Sequence, residues 1–98
     1  MERLKDKVAI VTGGGGGIGG ATARALARAG ASVLVVDIDL SAAERVADGI
    51  TESGRPAVAF QADLSDEAQV VATIGAATSH FGGLHVLHNN AALTDSDF

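Results

Sequence analysis

Residues 12–19 read Thr-Gly-Gly-Gly-Gly-Gly-Ile-Gly. They follow the apolar run Val8–Val11 and open an alanine-rich stretch, Ala21 to Ala29. A strand that turns through glycines into a helix start makes an anion site. Backbone N–H groups point outward there, and the helix dipole adds about half a positive charge. Glycine lets the main chain approach a phosphate where a Cβ would intrude. Eighteen residues after Gly19, Asp37 closes the apolar run Ser32–Asp37. In a dinucleotide fold a carboxylate at that place accepts hydrogen bonds from the adenosine ribose hydroxyls; otherwise it caps the next turn. It also repels a 2′-phosphate. Neither Gly16 nor Ile38 supplies a cation to hold one. NAD is therefore favoured over NADP.

The five consecutive glycines satisfy several spacings at once. G-x-G-x-x-G fits Gly14, Gly16 and Gly19, and again Gly15, Gly17 and Gly20; G-x-x-x-G-x-G fits Gly13, Gly17 and Gly19. The glycines alone do not choose. Asp63-Leu64 follows a third apolar run, and its acid either receives an adenine amino group or belongs to the turn before Ser65. Asn89-Asn90-Ala91 ends a fourth run. Asn is unfavourable inside strands, so the pair suits amides that tie neighbouring strand ends together, with backbone passing beneath the ligand. His80, His85 and His88 stand apart from any acid at metal-ligand spacing, and His88 reads as a packing residue. No metal site is expected.

Strands and helices must position these groups. The spacing predicts a strand over 8–12, a helix over 17–29 closed by Gly30, and a strand over 32–37 whose unbroken apolarity suits a strand covered on both faces. Ser41-Ala-Ala-Glu44 has capping-box spacing, and its helix places Ala43, Val46, Ala47 and Ile50 on one face before Gly54 ends it. A strand over 57–60 follows. Ser65 is the expected cap of a helix with Asp66 and Glu67 in its first turn and a buried stripe of Val70, Ile74, Ala77 and Phe81. Gly82-Gly83 stops it, and 84–88 is the last strand. Alternation at this rhythm predicts parallel βαβ units.

Composition narrows the function classes. The chain has 98 residues, 12 acids against 7 bases, and no Cys, Tyr or Trp. A net charge of −5 without a basic face argues against nucleic acid or an anionic membrane surface as partner. No disulfide frame or thiolate metal site exists. With no apolar segment near 18 residues, a soluble, cytoplasmic protein is expected.

Thr12-Gly13-x-x-x-Gly17-Ile18-Gly19, Asp37, Asp63-Leu64 and Asn89-Asn90-Ala91, in this order and spacing, resemble the N-terminal half of the short-chain dehydrogenase/reductases. The resemblance runs from about residue 6 to 94. It implies an α/β fold, a Rossmann-type parallel sheet with flanking helices, here strands in the order 3-2-1-4 only. Residues 1–98 would form an incomplete NAD(P)-binding domain, the catalytic half being absent. By the same resemblance Gly13, Gly16, Gly17, Ile18 and Gly19 hold pyrophosphate, and Asp37 holds the adenosine ribose. Asp63 and Leu64 hold adenine, and Asn90 with Ala91 holds the cofactor's central part. The family's fourth motif ordinarily ends in glycine where this chain has Ala92. Its proton donor is a tyrosine with a lysine four residues later and a serine earlier. No tyrosine is present, and the only lysines, Lys5 and Lys7, precede the first strand. No catalytic residue is assigned.

The resemblance therefore implies the NAD-binding portion of an oxidoreductase that moves hydride between a nicotinamide and an alcohol or ketone. Two rivals remain: a non-catalytic dinucleotide-binding module, and a methyltransferase. The latter ordinarily carries an acid before its glycines, where Thr12 stands. A P-loop NTPase is excluded, since no lysine follows the glycines. The last strand is expected to leave Val86 and Leu87 on an apolar edge. Such a chain is marginally stable or associates into a homo-oligomer.

Overall fold

The computed structural model describes residues 3–90. Seven elements alternate among the described residues: β1 (Val8–Thr12), α1 (Gly17–Arg28), β2 (Ser32–Asp37), α2 (Leu40–Glu52), β3 (Ala57–Gln61), α3 (Glu67–Phe81) and β4 (Val86–Asn89). The strands form one parallel sheet in the order β3-β2-β1-β4. This is the expected Rossmann-type arrangement. The chain leaves β1 to one side for β2 and β3, then returns past β1 to β4. The carboxyl ends of β1 and β4 therefore flank a topological switch point, where doubly wound sheets bind ligands.

Side-chain alternation divides the core into two layers. Ala9, Val11, Val33 and Val35 face α1 and α2, meeting Ala23, Ala27, Ala43, Val46, Ala47 and Ile50. Val8, Ile10, Leu34 and Val36 face the other way, toward Ala77 of α3. β1 and β2 are buried along their whole apolar length because helices cover both faces. The alanines of α1 let its axis lie close to the sheet. Positive φ at Gly30, Gly54 and Gly82 marks the three helix exits.

Several boundaries differ from the sequence reading. The cap of α2 is Asp39, whose side chain accepts from the Ala42 N–H; Ser41 lies inside the first turn. Asp66 rather than Ser65 caps α3, accepting from the Ala68 N–H at 2.9 Å. In both cases a carboxylate takes the role from a neighbouring hydroxyl. Within α3, Thr73 and Ala77 are the buried residues, while Ile74 is 46% exposed. Apolar side chains surround this helix nearly all round, so periodicity could not select its inner face. β4 begins at Val86 because His85 is occupied with β1: its Nδ1 accepts from the Val8 N–H at 2.9 Å. Val86 is half-buried against the α1/α2 layer, not open as expected; Leu87, on the opposite face, is 62% exposed. Among the described residues, no helix is long and apolar enough to cross a membrane.

Candidate functional site

The glycine turn, the end of β2 and the end of β4 meet at the carboxyl edge of the sheet. The glycines of the turn differ in what surrounds them. Gly13 has φ 65, the left-handed region that glycine enters freely. A Cβ on Gly19 would strike the Gly13 carbonyl oxygen, so the turn closes on the start of α1 only if Gly19 is bare. At Gly17 an added Cβ would meet nothing within 4 Å, which leaves open space above the first turn. Gly13 and Gly19 are thus held by the turn itself, whereas Gly17 is unconstrained by its neighbours. Gly14 and Gly15 are constrained from below instead. A Cβ on Gly14 would lie 2.8 Å from Val35 Cγ1, and one on Gly15 would lie 2.5 Å from the Ala42 Cβ.

α1 starts at an N-cap, Gly16, that supplies no side-chain acceptor. The amides of the first helical turn, Gly17, Ile18 and Gly19, have no carbonyl one turn before them within the helix. Helix geometry places these amides at the positive end of the dipole, beside the exposed Gly16 and Gly17. Gly16 and Gly17 are exposed, and Ile18 is 74% exposed, a large apolar side chain standing beside the loop.

Asp37 sits at the tip of β2, half-buried. Its Oδ2 accepts from the Gly15 N–H and its Oδ1 from the Asp39 N–H, each at 3.0 Å. The carboxylate therefore lies against the glycine turn, and each oxygen keeps acceptor capacity for a further donor. Ile38, immediately after it, is exposed.

Asp63 follows β3. Its Oδ1 accepts from both the N–H and the hydroxyl of Ser65, at 3.0 and 2.7 Å. The Ser65 hydroxyl first, then its N–H, hold the Asp63 carboxyl below the usual aspartate range. The turn role of Asp63 is thus realised in the structure. Its own N–H donates to Gln69 Oε1 at 2.6 Å. Leu64 packs against the α3-side core.

At the end of β4, amides do join strand ends. The Thr12 hydroxyl donates to Asn89 Oδ1 at 2.7 Å, and the Asn90 N–H approaches the Thr12 hydroxyl and carbonyl at 3.1 and 3.2 Å. Asn90 is half-buried beside the loop. Ala91 lies outside the described residues. His88 is half-buried on β4. Among the described residues, no group of three or more His, Asp or Glu could hold a metal ion.

The sequence reading assigned no task to Gly15, Asp39 and Ala42, although they brace the site. An acid two residues after a strand and shortly before an alanine-rich stretch is an N-cap signal, and it could have identified Asp39. A second concavity, about 150 Å³, lies between α1 and α2 and is lined by Arg24, Arg28 and Ser53 among others. None of the residues assigned above lines it.

Comparison with known proteins bears on the family and the fold. The short chain dehydrogenase family profile matches residues 7–98. The chain is 43% identical to a cyclohexanol dehydrogenase of Acinetobacter sp. over 91 residues, covering 93% of this chain and 36% of that protein. It is also 43% identical to a galactitol 2-dehydrogenase of Agrobacterium fabrum over 93 residues, 95% of this chain and 35% of that protein. The crystal structure of a hydroxysteroid dehydrogenase from Escherichia coli superposes with a TM-score of 0.89 at 43% identity, covering 92% of this chain and 38% of that one. The chain thus spans about a third of the length of these relatives. A family match from residue 7 to residue 98, on a sheet of the same order, makes this chain a member of the short chain dehydrogenase family.

Proposed function

We propose that the chain is the NAD-binding portion of an oxidoreductase acting on an alcohol or ketone. The observation that carries the reading is the open first turn of α1. Bare backbone at Gly16 and Gly17 stands above a turn locked by Gly13 and Gly19, with the Asp37 carboxylate alongside. In this reading the amides of Gly17, Ile18 and Gly19 hold the pyrophosphate, with Gly13 and Gly16 shaping the cradle. Asp37 accepts from the two hydroxyls of the adenosine ribose. Asp63 and Leu64 border the adenine, and Asn90 with Ala91 runs beneath the middle of the cofactor. The nicotinamide supplies hydride transfer when bound.

Asp37 also carries the preference for NAD. A 2′-phosphate placed against a carboxylate meets like-charge repulsion, and exposed Ile38 brings no compensating cation. Proton transfer needs a general acid or base. The family's tyrosine and lysine pair has no counterpart among these 98 residues. The proposal therefore assigns that step, the substrate pocket and the substrate's identity to sequence beyond them. A cytoplasmic setting goes with this reading.

Isothermal titration of the chain with NAD and NADP tests it. NAD is expected to bind more tightly, and to stabilise by RT ln(1 + [L]/Kd) in a parallel melt. Equal or tighter binding of NADP would remove Asp37 from its role. For the longer protein, a coding sequence past Phe98 without Tyr-x-x-x-Lys would end the oxidoreductase reading.

A further inference from the structure

Four residues from three segments close a ring of contacts beneath the proposed cofactor. The Gly15 N–H donates to Asp37 Oδ2 and the Asp39 N–H to Asp37 Oδ1, each at 3.0 Å. Asp39 Oδ1 accepts in turn from the Ala42 N–H at 3.3 Å. The ring closes where the Gly15 Cα faces Ala42 so closely that a Cβ there would lie 2.5 Å from the Ala42 Cβ. The Gly14 N–H adds a bond to the Val36 carbonyl at 2.9 Å. The glycine turn is thereby fastened to the β2–α2 junction, although five glycines in succession carry a large backbone entropy that must be suppressed before a ligand can be held.

We infer that Asp37 is a positioning residue as well as a ribose acceptor: its carboxylate, bridging the Gly15 and Asp39 amides, sets the glycine turn before any cofactor arrives. The inference rests on the NAD reading for its purpose but not for its geometry. An N–H to carboxylate bond is charge-assisted, stronger than its neutral counterpart. One side chain then couples two properties usually treated apart, loop order and cofactor choice. Substitutions at 37 that admit a 2′-phosphate would at the same time release Gly15.

The test is amide hydrogen exchange, read residue by residue by NMR, on the full ligand-free chain and on D37N and D37A, with NAD titrated separately into each. Gly15 is expected to exchange at least tenfold faster in D37A and by an intermediate factor in D37N, which keeps one acceptor oxygen. Val35, in the middle of β2, should keep its wild-type rate. D37N preserves the shape of the side chain, so it gives the answer if D37A fails to fold. An unchanged Gly15 rate in the folded variants overturns the inference, even if NAD binding is lost, because Asp37 would then act only by touching the ribose. A rise shared equally by Gly15 and Val35 also overturns it, since Asp37 would then be a general stability residue. Selective release of Gly15 in a chain that never binds NAD would uphold the clasp and defeat the cofactor reading.

Discussion

Two glycines two residues apart are under opposite constraints. A methyl on Gly19 would enter the Gly13 carbonyl, whereas one on Gly17 would enter open space. Gly19→Ala is therefore expected to lose about 1–3 kcal/mol through forced backbone displacement. Gly17→Ala should hold its stability or gain up to about 1 kcal/mol from helix propensity, yet bind NAD at least tenfold more weakly. Urea unfolding and calorimetry on both variants check this; a Gly17→Ala chain with full NAD affinity would show that the cradle is misplaced. This distinction was illegible in the sequence. Glycine at either position reads the same in the sequence, and only the folded turn brings the Gly13 carbonyl against Gly19. The place of Asp37 beside the glycine turn was legible because it ends an apolar strand whose neighbour feeds that turn, but its bonds to Gly15 and Asp39 were not. Asp63 offered two roles, and its bonds to Ser65 realise the turn. Because its folded carboxyl titrates below the unfolded one, its contribution to stability is present above the ordinary aspartate range. That contribution disappears as pH falls through the lowered value. Ser65→Ala should raise the Asp63 titration midpoint, followed by carboxyl NMR; an unmoved midpoint would mean that the hydroxyl is not the dominant cause.

Among the elements, the helix starts give the clearest expectation. Asp39→Ala and Asp66→Ala should each cost about 1 kcal/mol by loss of a capping acceptor. Ser41→Ala, in the first turn of α2, should change stability by under about 0.5 kcal/mol. Equal losses for Asp39 and Ser41 in chemical denaturation would restore the capping box that the spacing suggested. β2 was read with its observed ends because Ser32–Asp37 is apolar between a glycine-bearing turn and an acid. α2 was read with its true buried face because Ala43, Val46, Ala47 and Ile50 have polar residues opposite them. α3 defeated the same logic: Val70, Val71, Ile74 and Ala77 point in several directions, and only the sheet selects Ala77 and Thr73 for the interior. The start of β4 was illegible for another reason. His85 looks like a strand residue until its ring is seen capping the first N–H of β1.

For the molecule as a whole, the two layers are unequal. Among the described residues α1 and α2 cover one face of the sheet and α3 alone the other, and Val71, Ile74 and Leu87 are exposed. An open parallel edge with apolar neighbours invites pairing. The isolated 98-residue chain is expected to self-associate, its weight-average mass rising with concentration in sedimentation, and Leu87→Lys with Val71→Glu should shift it toward monomer. A monodisperse monomer with a sharp cooperative melt would contradict this. The central claim is that a dinucleotide lies on bare main chain at the carboxyl edge of β1 with its adenosine sugar on Asp37. Titrating NAD into isotopically labelled chain tests it most directly. Amide shifts should concentrate at Gly13 through Gly19 and the Asp37–Ile38 junction, and vanish for those residues in D37A at the same NAD concentration. Shifts confined to the Arg24 and Arg28 concavity, or a glycine turn that NAD leaves undisturbed, would contradict it.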